Sequence, residues 1–508
     1  MGTYLLGIDI GTSACKAALF QENGTVIAQV TGEYTVRYPR AGWAEQDPDE
    51  WWRTVCKAIR DVLSKSGIEP AQIAGVGVDG QSWSAIAVDT EGCVLCPTPI
   101  WTDTRAKNIC DAIRQEIPED EIFSLCGNLL QPSYTLPKIL WYKQNLPDVY
   151  QKADAILQSN SFIVYRLTGN KTQDLSQGYG CHCFDMRLGR WDDAMCNRLG
   201  VRRELLPPLY ACHQIVGVVS GEAAMLTGLT AGTPVVAGGL DAACGTLGAG
   251  VVDAGQTQEQ GGQAGGMSIC LSEYSADRRL ILGQHVVPGR WLLQGGTTGG
   301  GGALKWLRET ICPELSFDEM SSLAGSVPAG SGGVLFLPYM AGERSPIWNP
   351  NASGVFFGLG YDKSRAHMIR ACMEGVAYAL KHNLEAAKEA GAVVDTMRAM
   401  GGSANSLVWT QIKADVTGKR IEVPLSDTAT TLGAAILAGV GTGVYGGFRE
   451  AVEKTIAVRR THEPNAALQD VYEEGYKKYR ALYERLEPMM QTCWKEGGIH
   501  ESCGAVQQ

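Results

Sequence analysis

Residues 4 to 30 read YLLGIDIGTSACKAALFQENGTVIAQV, an apolar run broken by Gly11-Thr12-Ser13, a second run, and a third joined to it through Glu22-Asn23-Gly24. Short apolar runs bounded by turn residues predict strands, and Asn-Gly between two of them predicts a hairpin. Over 47–64 the period lengthens to that of an amphipathic helix with Pro48 at its start. It shortens again over IAGVGVDGQSWSAIAVD at 73–89, which predicts two strands around Gly80-Gln81-Ser82-Trp83. SYTLPKILWYKQN at 133–145 predicts a helix with Pro137 in its first turn and Lys138, Trp141 and Tyr142 at packing spacing.

The chain is organised around 233–250, TPVVAGGLDAACGTLGAG. A strand-like run to 237 stops at Gly238-Gly239, and a small-residue helix follows Asp241. A carboxylate thus stands at a strand-to-helix junction where glycines admit a ligand to the backbone and the helix N-terminus favours the charged form. A general base and a helix cap both suit that position. Beyond it come two glycine-rich strings, 261–266 and 295–302, the second feeding a helix over 303–308. Such a loop suits phosphate. A strand at 334–339, a long helix at 365–390, a Gly-Gly turn before a helix at 401–415 and a small-residue helix at 431–443 complete a second alternation. The expectation is an α/β protein of two domains, 1–250 and 251–486, with a tail at 487–508.

Composition narrows the function class. The 508 residues are 45% hydrophobic and 19% charged, enough to bury more than one core, and the 62 glycines cluster in short strings as in ligand-approaching loops. A net charge of -10 with no basic run argues against a nucleic-acid partner. No basic, apolar and small-residue succession follows Met1 and no apolar run reaches membrane-spanning length, so a soluble, cytoplasmic protein with no membrane partner is expected. The 16 cysteines, scattered through apolar segments, read as reduced core thiols. Cys93 with Cys96, and Cys181 with His182 and Cys183, lack a second ligand pair at zinc-site distance.

Candidate chemistry gathers at three places. The first turn offers backbone N–H groups and the hydroxyls of Thr12 and Ser13 to an anion, with Asp9 placed to hold a hydrated Mg²⁺; no GxxxxGK[ST] string occurs, which disfavours a P-loop. Gln81 and Ser82 beside the Trp83 indole suit a sugar, which offers hydroxyls to polar groups and C–H groups to an aromatic; Trp83 equally suits the core. Trp101, Asp103 and Arg105 form either a second polar edge of that pocket or an ion pair.

Five stretches in order carry a resemblance over nearly the whole chain: DIGTS at 9–13, SYTLPKILWYKQN at 133–145, GGLDAACGTLGAG at 238–250, GVFFGLGYDKSRAHMIRACMEG at 354–375 and GGSANSLVWTQIKAD at 401–415. They resemble the FGGY carbohydrate kinase family, its xylulokinase-like branch most of all. The resemblance implies two actin-like ATPase domains of ribonuclease H type with the active site in the cleft between them. It implies Mg-ATP as phosphoryl donor and a small sugar or polyol as partner, with a homodimer as the assembly to test. Asp241 resembles the base that takes the sugar hydroxyl's proton, and Asp9 the carboxylate beside Mg²⁺. Gly11, Thr12, Ser13 and Lys16 fall near the ATP phosphates, while Gly262, Gly301, Lys305, Gly402 and Ser406, with Asn405 adjoining, match positions along the nucleotide. Ser82, Trp83 and Asp103 fall where the family contacts sugar.

The chain departs from the xylulokinase pattern where Ser82-Trp83 replaces Met-His, Ala242 replaces Asn and Gln263 replaces Thr. D-xylulose is the acceptor the resemblance implies; the departures leave open another ketose, a polyol or a sugar acid, or a catalytically silent binder.

Overall fold

Two mixed sheets of seven strands, one in each half of the chain, form the frame of the computed structural model, which describes residues 2–426 and 428–491. In the first, β1 (Tyr4–Ile10), β2 (Ala14–Gln21) and β3 (Val26–Glu33) make the antiparallel meander that the 4–30 pattern predicts. β4 (Ile73–Gly80) runs parallel to β1. β5 (Ile215–Val218) pairs with β6 (Pro234–Val236), and β6 and the short β7 (Gly239–Leu240) lie parallel to β4. β1 and β4 are buried on both faces, which is why they read as near-continuous apolar runs.

The second sheet repeats the plan. β8 (Gln256–Gly261), β9 (Gly265–Leu271), β10 (Ile281–Gln284) and β11 (Trp291–Thr297) are antiparallel neighbours in the order β10-β11-β9-β8. β12 (Thr396–Met400) and β13 (Arg420–Pro424) add in parallel, and β14 (Val458–His462) closes the edge in the opposite sense. The first sheet's order β3-β2-β1-β4-β6-β5 therefore matches β11-β9-β8-β12-β13-β14, strand for strand and direction for direction.

The helices that position the site are α1 (Pro48–Ser66), α2 (Thr135–Asn145), α3 (Ser159–Thr168), α4 (Asp241–Gly248), α5 (Gly301–Ile311), α6 (Arg365–Glu389), α7 (Leu407–Thr417), α8 (Ala429–Gly441) and α9 (Gln469–Met490). α1 starts where the Asp47 side chain accepts from Asp49 N, ends at left-handed Gly67, and buries Trp51, Val55, Ile59 and Val62 against the first sheet.

Small residues decide the middle of the molecule. A Cβ at Gly433 of α8 would lie 1.9 Å from the Cys244 carbonyl oxygen of α4, and one at Gly248 1.8 Å from that of Ala429. At Gly7 and Gly77, on β1 and β4, a Cβ would come within 1.9 Å of the Thr431 and Ala434 carbonyl oxygens. Helix α8 follows β13 of the second sheet in sequence, yet it lies on the first. A division at 250/251 therefore separates the two strand frames but not their helices. Residues 487–490, expected in the tail, continue α9; from 492 the tail lies outside the described residues. The described cysteines are free thiols, buried except for Cys93 and Cys96.

Candidate active site

Three carboxyl groups meet at the carboxyl ends of parallel strands, where α/β sheets bind ligands. Asp9 on β1 faces Asp79 on β4 in register, and Asp79 faces Gly239 on β7, two residues before Asp241. Gly238, at φ 77°, makes that approach feasible, since a Cβ there would lie 1.9 Å from the Val78 carbonyl oxygen. Asp241 is the first residue of α4 rather than its cap, a place Leu240 occupies, and its Oδ1 accepts from Ala242 N at 2.6 Å. Burial, and then the Asp9 charge, raise its pKa to about 7. Half-buried and raised so far, Asp241 suits a base working near neutral pH.

Asp79 went unnoticed in the sequence, although a lone carboxylate closing the buried run VGVDG is the signal that marks it. It is fully buried, and neither oxygen finds a donor. Burial, then the Asp9 and Asp241 charges, push its pKa well above the usual range, which favours its neutral form. Asp9 is also raised by burial, against the pull of Thr430, Asp79 and Lys16. Thr430 of α8 donates to its Oδ2 at 2.9 Å, and Lys16 stands opposite it on β2.

The Gly11–Ser13 turn is held by its carbonyls. Tyr34 donates to Gly11 O at 2.6 Å, Gln46 to Thr12 O at 2.8 Å, and Tyr34 N to Ser13 O at 3.1 Å; Trp101 Nε1 bonds Thr12 Oγ1 at 2.8 Å. Gln81 ties the turn to β4, through its backbone N to Ile10 O and its side chain to Gln46. These clamps fix one side of the turn from within.

Trp83 takes a left-handed backbone, φ 58°, uncommon for so large a residue. Its N–H donates to Gln158 Oε1 at 3.2 Å, and its carbonyl accepts from Lys138 at 2.8 Å, the same ammonium that bonds Ile100 O at 2.7 Å. Lys138 is wholly buried, and burial lowers its pKa to about 7. The Trp83 ring lies 4.1 Å from Tyr134 and 6.0 Å from Tyr179, between centroids, and its indole N–H meets the Tyr179 hydroxyl only at the edge of hydrogen-bond geometry. The Asp241 charge is felt at Tyr179, which puts the candidate base within electrostatic reach of this aromatic wall. Ser82 is half-buried, and its hydroxyl has no partner among the described residues.

Asp103 does not join that pocket. It is fully buried, accepts from Arg105 Nη2 at 2.7 Å and Nε at 2.9 Å, and also from Ala44 N at 2.7 Å. These donors occupy its oxygens, and Arg105 makes the ion pair that the sequence also allows. Arg105, in turn, lies 3.8 Å over the Trp43 ring and bonds Glu45.

On the second sheet Gly262, Gly301 and Gly402 converge. Gly301 N donates to Gly262 O at 2.7 Å and Gly302 N to Gln263 O at 2.9 Å, so the first amides of α5 are occupied by the loop rather than free for phosphate. Gly401, at φ 83°, packs so tightly on this loop that a Cβ would lie 2.9 Å from Gly261 O. Lys305, one turn into α5, is exposed with Glu309 at 3.8 Å. Asn405 accepts from Arg459 at 3.3 Å, and Ser406 is the N-cap of α7, accepting from Trp409 N at 3.0 Å and bonding Ser321 at 2.6 Å.

Mg²⁺ fits the first sheet's donors. Hard carboxylate oxygens crowd together, and the Asp9 charge raises the pKa values of Asp79 and Asp241, a repulsion that a divalent cation at Asp9 would relieve. Mg²⁺ commonly takes one or two carboxylates and completes its shell with phosphate and water.

Comparison with known proteins agrees with this geometry. Residues 4–248 match the N-terminal domain of the FGGY family of carbohydrate kinases, and 275–442 its C-terminal domain. The xylulose kinase of Escherichia coli is 31% identical over 489 residues, 96% of this chain and 99% of that protein. The L-xylulose/3-keto-L-gulonate kinase of the same organism is 30% identical over 492 residues, 96% of this chain and 98% of that protein. The crystal structure of xylulose kinase from Rhodospirillum rubrum superposes with a TM-score of 0.90 at 29% identity, over 96% of this chain and 100% of that one. The two sheets are thus the two actin-like domains of such kinases, and no helix among the described residues is long and apolar enough to cross a membrane.

Proposed function

Because the chain belongs to the FGGY family of carbohydrate kinases, an ATP-using family with small sugar substrates, we propose that it phosphorylates a ketopentose, D-xylulose first, with Asp241 as the base. The observation that carries this reading is the place of Asp241, half-buried beside Asp9, raised to about 7 and electrostatically coupled to the Trp83–Tyr179 wall. The names of its relatives support the acceptor.

In this mechanism the sugar stacks on Trp83 and bonds Ser82, which brings one hydroxyl to Asp241. Asp241 accepts that proton as the oxygen attacks the γ-phosphorus in line. Gly11, Thr12, Ser13 and Lys16 bind the phosphates from the first sheet and Lys305 from the second; Gly262 and Gly301, bonded to each other, let the nucleotide lie close to the backbone without donating to it, and Gly402, Asn405 and Ser406 take the nucleoside end. Mg²⁺ held at Asp9 supplies charge neutralisation along the phosphates. Phosphoryl transfer runs through a loose transition state, so positioning and charge do most of the work. Asp79 stays neutral beside Asp9.

ADP release with Mg-ATP across ketopentoses, ketohexoses, pentitols, glycerol and gluconate tests the reading. D-xylulose is expected to show the highest kcat/KM. A faster acceptor moves the substrate and keeps the kinase, while ATP binding without turnover of any acceptor points to a silent binder.

A further inference from the structure

Arg344 lies outside every motif considered above. Its turn is stitched to the end of β11, just before the glycine-rich entry to α5. Thr298 N donates to Glu343 Oε1 at 2.9 Å, Gly296 N to Ser345 Oγ at 2.6 Å, and Asn383 Nδ2 to Ser345 O at 3.0 Å. The mount is rigid.

The guanidinium rests over Gly296, where a Cβ would lie 3.1 Å from Nη1 and 3.2 Å from Cζ. A side chain there would press on it. Arg344 is half-buried, yet its guanidinium has no carboxylate, hydroxyl or carbonyl partner among the described residues, whereas Arg105 and Arg370, also sheltered, are paired with acids. The neighbouring Glu343 does not serve. Its Oε1 is held by backbone amides, and its buried Oε2 meets nothing. Burial pushes the Tyr134 and Tyr179 phenols up and the Arg344 charge opposes that push, so the guanidinium lies within electrostatic reach of the aromatic wall beside Trp83.

A sheltered, rigidly mounted guanidinium without an acid is a fork for an oxyanion. We propose that Arg344 is the second domain's contact to an anionic oxygen group at the acceptor end of the cleft, either the phosphoryl in transit to the sugar or a carboxylate carried by the acceptor. This rests on the kinase reading above. In the first case the N–H groups of Arg344 meet charge that builds on the phosphoryl oxygens, and in the second they select sugar acids.

The test compares wild type, Arg344→Met and Arg344→Lys in steady-state kinetics with D-xylulose and D-gluconate, and in calorimetric binding of D-xylulose, D-xylulose 5-phosphate and D-gluconate. A phosphoryl contact lowers kcat for every acceptor by about 10²-fold in Arg344→Met, as for loss of one charge-stabilising donor. It weakens the phosphate ester and leaves D-xylulose binding unchanged. A carboxylate contact confines the loss to D-gluconate. Arg344→Lys keeps the charge without the fork, falls between, and serves alone if the methionine variant does not fold. Folded variants with wild-type kinetics and wild-type affinity for both anions overturn the proposal. If the wild type turns over no acceptor, the kinase reading fails separately, and equal anion affinities in wild type and variant overturn the Arg344 assignment.

Discussion

The two sheets share a strand order and differ at their carboxyl ends. On the first, β1, β4 and the β7–α4 junction bring Asp9, Asp79 and Asp241 together without a cation bonded to any of them. On the second, β8 ends in Gly261 and β12 runs into Gly401, and the buried charge nearby is neutralised: Lys413 bonds Glu259 at 2.6 Å and Ser403 at 2.7 Å, its side chain 2% exposed and that of Glu259 4%. One copy of the frame concentrates unpaired negative charge, which costs stability and suits proton transfer. The other pairs its charge and presents backbone, which suits a nucleotide.

The largest expected effect comes from removing the first sheet's base. Asp241→Asn should lower phosphoryl transfer by about 10²–10⁴-fold, the usual worth of a general base, while ATP binding by calorimetry stays near wild type. In wild type, kcat/KM should rise as pH passes through about 7, where Asp241 loses its proton. Stability should run the other way. The folded pKa stands above the ordinary 3.8, so between that value and about 7 the folded chain holds a proton that the unfolded chain releases, and Asp241 subtracts stability as pH rises. Asp241→Asn should therefore raise Tm over wild type above pH 7 and not at acid pH; an equal gain at both would refute the raised pKa.

The contrast sharpens if the second sheet's pair is broken instead. Lys413→Met leaves Glu259 buried and uncompensated, which costs about 3–5 kcal/mol in denaturant unfolding. Glu259→Gln with Lys413→Met should recover most of that, because no bare charge remains. If the single variant lost nothing, the pair would not be what holds this sheet's end.

A smaller effect tests the seam between the sheets. Gly77→Ala drives a methyl group into the Ala434 carbonyl of α8, and overpacking of this kind costs about 1–3 kcal/mol. Calorimetry should show a lowered Tm, with activity reduced as Thr430 shifts from Asp9.

Hairpins, glycine breaks and strand-to-helix junctions were legible because each is a local event. Asn23-Gly24 turns a chain wherever it stands, and the approach to Asp241 follows from Gly238 and Gly239. Asp103 was ambiguous for the opposite reason. Arg105 is two residues away, but the Ala44 amide that completes the set reaches Asp103 only through the fold of the 42–46 and 100–105 segments.

By itself the sequence determined the two α/β repeats, the turn at 9–13, the Asp241 junction and the family, since period, turn chemistry and motif order are written in consecutive residues. Tertiary structure alone decided that Asp79 faces Asp9, that α8 crosses to the first sheet to reach Asp9 through Thr430, and that the Arg344 guanidinium has no acidic partner among the described residues. A buried charge takes its meaning from what is packed around it, and those neighbours, 70 residues away along the chain for Asp79 or more than 400 for Thr430, meet only when the sheets form.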